Sequence, residues 1–152
     1  MSEYQTEGDF DLSADTLWAA IRDFGDVSWL PGNPTFSSEG EGPGMIRTID
    51  APPIPMVREQ LDAIDDAEHT IHYRIIQGLP MPVSDYSASM QVIDTGGNRS
   101  RLRWSCRFEP DGVSEEEAQS RVARMYRTVL RGMKKKLEER QNSIQPLPGG
   151  IQ

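Results

Sequence analysis

The chain has 152 residues, 16 basic and 24 acidic side chains for a formal net charge of −8, and one cysteine. This length fits a single domain with a substantial core, and the acidic balance argues against nucleic acid or an anionic membrane as partner. The lone Cys106 excludes an internal disulfide framework and points to a reducing cytoplasm. Met1-Ser2-Glu3-Tyr4 is polar and no stretch is apolar enough to span a bilayer, so neither an apolar leader nor stable membrane insertion is expected. Composition leaves the oligomeric state open.

In chain order, Gln5 to Leu12 reads as a first strand with Phe10 and Leu12 on one face. Ser13 is a suitable N-cap for a short helix through Asp23 that carries Leu17, Trp18 and Ile21, and Gly25 ends it. Asp26 to Leu30 forms a second brief helix or turn before Pro31-Gly32. Thr35–Glu39 and Met45–Asp50 read as strands parted by Gly40, Gly42, Pro43 and Gly44, and the prolines between 52 and 55 make a connection. Four stronger strands follow. Met56–Ile64 and Thr70–Gln77 are separated by Asp65-Asp66-Ala67-Glu68; Tyr86, Ala88, Met90 and Val92 alternate next. After Gly96-Gly97-Asn98 come Leu102, Trp104, Cys106 and Phe108, with Arg101, Arg103, Ser105 and Arg107 facing outward. Clean alternation of this kind belongs to antiparallel strands with one wet face and one covered face.

Residues 114–141 read as one long helix. Ala118, Val122, Met125, Val129, Met133 and Leu137 recur at helical spacing, with Tyr126 and Leu130 beside them. Ser114 and Glu117 form a capping box, Glu115 and Glu116 complement the helix dipole, and Lys134, Lys135 and Lys136 suit its other end. At about 1.5 Å per residue the helix is roughly 40 Å long and cannot bury its stripe alone, so the stripe should lie on the sheet. It carries eight basic and five acidic groups, which leaves −11 on the rest of the chain. A solvated helix face accounts for this; a docking patch for a partner is the other reading. Residues 142–152, with Pro146, Pro148, Gly149 and Gly150, read as a flexible tail to a single domain over 1–141.

Phe24-Gly25-Asp26 with Trp29 and Pro31 resembles the short-helix region of the START-like, or SRPBCC, superfamily. Arg58-Glu59 with Leu61, Tyr73-Arg74-Ile75, the run from Gly78 to Val83 with Tyr86, and Trp104 with Phe108-Glu109-Pro110 resemble its polyketide cyclase/dehydrase-like branch. The resemblance spans residues 5–140. It implies an α+β helix-grip fold: a seven-stranded curved antiparallel sheet around the long C-terminal helix, with two short helices after the first strand. Between sheet and helix the family holds a pocket for apolar or amphipathic small molecules. The loop at its mouth reads Gly78-Leu79-Pro80-Met81-Pro82 here, in place of the family's usual Gly-Pro-Leu-Pro. The function so implied is binding, transport or sensing of a lipid or an aromatic, polyketide-like compound. The alternative is cyclase, aromatase or dehydratase chemistry in the same cavity.

Glu59 stands out as a carboxylate among Val57, Leu61 and Ala63. Pairing Asp50 with Met56 places Arg47 opposite Glu59, and setting Leu61 against Ile71 places Tyr73 on the far side of it, one polar row across three strands. Two readings fit: a self-satisfied buried ion pair, or a ligand anchor and general acid/base made of Glu59, Arg47 and Tyr73. Tyr86, Met90 and Trp104 on the sheet and Met125, Val129 and Met133 on the helix are the expected apolar lining, or else ordinary core. Other chemistries lack residues. His69 and His72 fall on opposite faces of one strand, no second Cys/His cluster offers a metal site, and Gly40-Glu41-Gly42-Pro43-Gly44 does not lead into a helix. No metal or cofactor is expected.

Overall fold

Seven strands and two helices are described over residues 1–144 by a computed structural model. They are β1 (Ser2–Phe10), α1 (Ala14–Arg22), β2 (Thr35–Glu39), β3 (Ile46–Asp50), β4 (Val57–Asp65), β5 (Thr70–Gln77), β6 (Val83–Gly96), β7 (Arg99–Pro110) and α2 (Glu115–Ile144). The strands form one curved antiparallel sheet in the order β1-β7-β6-β5-β4-β3-β2. Six of them meander, and only the first reaches across to pair with the last.

Local chemistry sets the element ends. The Ser13 hydroxyl accepts from the Thr16 amide at 3.1 Å, so α1 starts where a capping serine meets an apolar run. The expected second short helix is absent. Asp26 takes the Ser28 amide on its side chain and the Leu30 amide bonds to Val27 O, which makes successive turns of Asp26–Leu30. Gly78, at φ +78°, ends β5 where a Cβ would lie 1.8 Å from the Met56 carbonyl oxygen, so the chain passes there only without a side chain.

The outer face of the sheet is stitched by charge. Glu3 pairs with Arg107, Glu7 with Arg103 and Asp9 with Arg101, all directly opposite one another in the β1–β7 ladder. Such exposed cross-strand pairs contribute a few tenths of a kcal/mol to about 1 kcal/mol each and are screened by salt. The inner face, with Leu61, Ile71, Tyr73, Met90, Leu102 and Phe108, is sealed from water.

Across that inner face lies α2. Its first turn is capped as the sequence indicates, the Glu117 amide donating to Ser114 Oγ at 3.1 Å. Ala118, Val122, Tyr126 and Met133 are fully buried, each such apolar side chain beyond alanine contributing about 1.5–3 kcal/mol. Tyr126 lies flat on Trp104, with ring centroids 3.6 Å apart. The basic groups near the end of α2 tie down the α1–β2 connection: Lys136 Nζ donates to the Leu30 carbonyl at 2.6 Å and Arg140 to Ser28 Oγ at 2.7 Å. Part of the basic face is thus a tether, which a purely solvated reading does not capture. The helix runs three residues past its expected end at Gln141; the remainder of the expected tail, 145–152, lies outside the described residues.

Candidate functional site

Where the middle of α2 stands off the inner face, a half-open cavity of about 590 Å³ lies between the two. That lies within the range of roughly 300–1,000 Å³ typical of small-molecule sites. Its sheet wall is built from β3 to β7, through Arg47, Glu59, Tyr73, Tyr86 and Trp104. The helix supplies Arg121, Arg124, Met125, Thr128 and Val129, which share one side of α2 by their spacing of three and four. Three connections close the rim: Trp29 to Pro34 after α1, Ala51 to Pro55 after β3, and Pro80 after β5. A depression of about 630 Å³ on the outer face, near Asp62, His72, Ser89 and Ser105, is bordered mainly by polar side chains and offers an apolar ligand little apolar surface.

The polar groups inside are largely spent on one another. Arg47 lies directly opposite Glu59 in the β3–β4 ladder; its Nε donates to Glu59 Oε1 at 2.7 Å and its Nη1 to the Phe24 carbonyl at 3.1 Å. Both side chains are buried, at 3% and 8% exposure. The guanidinium also stacks 3.8 Å above the Phe24 ring centre, which spreads its charge over an aromatic face. Trp104 Nε1 donates to Tyr73 Oη at 3.0 Å, and the Tyr86 and Tyr126 hydroxyls share a short hydrogen bond. Burial pushes all three phenols above their ordinary range, and the Glu59 charge adds to the effect at Tyr73. They are therefore neutral hydroxyls at physiological pH.

The expected position of Tyr73 needs correction. Leu61, and not Glu59, faces Tyr73; Glu59 faces Ile75. The turn closes between Asp65 and Thr70, with His69 in a left-handed conformation (φ +48°) and stacked on Trp18, and β4 carries a bulge beyond Leu61. The register therefore slides by two residues. A two-residue slide keeps the face, so Tyr73 still lines the cavity, 5.3 Å from the Arg47 guanidinium.

Of the expected lining residues, Tyr86, Trp104, Met125 and Val129 border the cavity, while Met90 and Met133 do not. Both methionines are buried in the core. Met90 pairs with Ile71 beside the end of the sheet that α1 covers, and Met133 lies past Gly132, where the Pro31 ring closes against α2. The sequence reading also missed Trp29, Arg121 and Arg124. Trp29 is only 3% exposed and lines the cavity, yet its indole Nε1 has no hydrogen-bond partner among the described residues. Arg121 and Arg124 flank Met125 and Val129 at helical spacing, a signal that could have placed them beside the pocket. Among the described residues no cluster of His, Cys, Asp and Glu could hold a metal, and no helix is long and apolar enough to cross a membrane.

A sheet folded around a terminal helix with a cavity between them defines a helix-grip protein. The chain belongs to the family described as polyketide cyclase / dehydrase and lipid transport, whose pattern it matches over residues 1–138. Among solved structures it is similar to an uncharacterized protein from Bacillus thuringiensis, at 27% identity over 90% of this chain and 98% of that one, TM-score 0.78. It also shares its fold with the Zhui aromatase/cyclase from Streptomyces sp. R1128, at 18% identity over 96% and 99% of the two chains, TM-score 0.77. Ara h 8.0201 matches at 19% identity over 91% and 98%, TM-score 0.69. Comparison with curated proteins returned no match.

Proposed function

We propose that the protein binds a hydrophobic or aromatic small molecule in the cavity between α2 and the sheet, and carries or senses it without chemistry of its own. The observation that carries this reading is the pairing inside the cavity. Arg47 is spent on Glu59 and Phe24, Tyr73 takes the Trp104 donor, and Tyr86 holds Tyr126. A general base would have to be freed from such a pair first, and no two groups there have separated acid and base roles. Among the described residues, the fully buried side-chain polar atom without a partner is the Trp29 N–H, a donor suited to a ligand carbonyl or ether and not to proton abstraction. The single cysteine, buried and unpaired, fits a reducing cytoplasm as its location.

Arg47, Glu59, Tyr73, Tyr86, Trp104, Met125 and Val129 are the ligand contacts in this reading. The other reading is cyclase or dehydratase chemistry in the same space. Its support is the Zhui aromatase/cyclase likeness, which is one of fold, and the presence of Glu59 on the wall. Native mass spectrometry of the purified protein, together with titration of the neutral dye N-phenyl-1-naphthylamine, tests the binding reading. A co-purified apolar compound, or saturable dye fluorescence that Val129→Trp abolishes by filling the cavity, is the expected result. Dye that fails to bind, or binds V129W unchanged, would overturn it.

A further inference from the structure

The cavity is unevenly charged, and in the opposite sense to the protein around it. Its lining includes Arg47, Arg121 and Arg124 against Glu59. Arg47 and Glu59 cancel at 2.7 Å, which leaves two positive charges on the wall of a chain with a net charge of −8. On the sheet, Arg101, Arg103 and Arg107 each meet a carboxylate across the β1–β7 ladder, while Arg99 at the start of β7 does not. Arg121 and Arg124 form no ion pair and no side-chain hydrogen bond among the described residues. Both are exposed and one turn apart, on the side of α2 that carries Met125 and Val129 into the cavity. An unmatched pair of cations therefore stands at the rim of an apolar hole.

We infer that the ligand is an anionic amphiphile: an apolar or aromatic body lying between Trp104 and Met125, and a carboxylate or similar acid held at the mouth by Arg121 and Arg124. Planar guanidinium groups offer paired donors that match a carboxylate, and at the rim the acid keeps part of its hydration. Placing the acid deeper would bring it against Glu59 and strand a charge in the apolar interior. The interior's open group has the matching sign, because the unpartnered Trp29 N–H can only donate. This assignment rests on the cavity being the ligand site.

Two dyes that differ by one sulfonate separate the questions. 1-Anilinonaphthalene-8-sulfonate is an aromatic body with an acid, and N-phenyl-1-naphthylamine is the same body without it. Replacing both rim arginines (R121Q/R124Q) should weaken the sulfonate dye by about five- to tenfold at low salt, the sum of two partly solvated ion pairs. The neutral dye should bind that variant within about twofold of the wild type, which also reports that it is folded. R121K/R124K should retain most of the affinity. R127Q/R131Q, the same loss of charge outside the cavity lining, should leave both dyes unchanged. Displacement of the sulfonate dye by dodecanoate or by 2-naphthoate then tells an aliphatic acid from an aromatic one.

If both glutamine pairs weaken the sulfonate dye equally, or neither does while the neutral dye binds, the assignment of an acid to Arg121 and Arg124 is overturned and the cavity reading stands. Failure of both carboxylates to displace the dye likewise overturns it. If neither dye binds the wild-type protein, the cavity reading itself falls and this inference with it.

Discussion

Arg47 Nε stands 2.7 Å from Glu59 Oε1, on facing positions of β3 and β4, with both side chains nearly sealed from water. Removing one member of such a pair strands the other, at a cost of about 3–5 kcal/mol. Arg47→Met and Glu59→Gln should each destabilise the protein by that order in urea denaturation. The double substitution should recover much of the loss, though not all, because the Phe24 carbonyl also loses its donor. A coupling energy near zero would sink the pairing. If the pair also anchors the ligand, the double variant will fold and yet bind its ligand poorly.

Trp29 predicts the opposite balance of stability and binding. Its buried N–H is unpartnered, so Trp29→Phe removes a donor that the empty protein does not use. Unfolding free energy should change by about 1 kcal/mol or less, while an aromatic ketone such as benzophenone should bind about five times more weakly. N-Phenyl-1-naphthylamine, which carries no carbonyl, should bind both forms alike. Equal losses for the two probes would assign Trp29 a packing role only.

Gly132 lets the rim of the cavity close. A Cβ there would lie 2.5 Å from Pro31 Cβ and 2.8 Å from its Cγ, and a proline ring cannot swing aside without its backbone. Gly132→Ala gains about 1 kcal/mol of helix propensity. Overpacking costs about 1–3 kcal/mol, so the net effect should be a lower Tm with dye affinity altered at the displaced loop. A variant more stable than the parent would show that the loop yields freely.

Alkaline pH should expose the buried phenols. Tyr73, Tyr86 and Tyr126 hold their protons above the ordinary value of 10.0 in the folded protein, chiefly because burial penalises the charged form. Between that ordinary value and the raised folded-state values the native protein binds more protons than the unfolded chain. Stability is therefore fully present below about pH 10 and falls as pH rises further, by about 1.4 kcal/mol per pH unit for each such group. Urea denaturation between pH 9 and 11.5 should show this slope, and Tyr86→Phe should reduce it by one group's share. An unchanged slope in the variant would mean that Tyr86 ionises normally.

Periodicity determined the run of antiparallel strands and the long terminal helix, because alternation and helical spacing are local properties; the resemblance supplied the seven-stranded helix-grip arrangement. Pairs such as Arg101 beside Leu102, or Val122 beside Arg121, say which way each residue faces before any tertiary contact is known. The turn chemistry between β3 and β4 also made the Arg47–Glu59 ladder position readable, since that connection fixes the register. Tyr73 stands two ladder positions from its expected place because its register depends on where the Asp65–Thr70 turn closes. That turn carries His69 in a left-handed conformation, stacked on Trp18 of a different element, and β4 bulges beyond Leu61. A two-residue slide costs the pattern nothing, so periodicity could not detect it. Met90 and Met133 look identical in sequence to Met125, and only their packing in the folded chain separates core from lining. Arg121 and Arg124 were legible as a basic helix face, but their lack of carboxylate partners is a property of the assembled surface. Local pattern sets which side a residue takes; long-range packing decides what stands opposite it, and the site is made of what stands opposite.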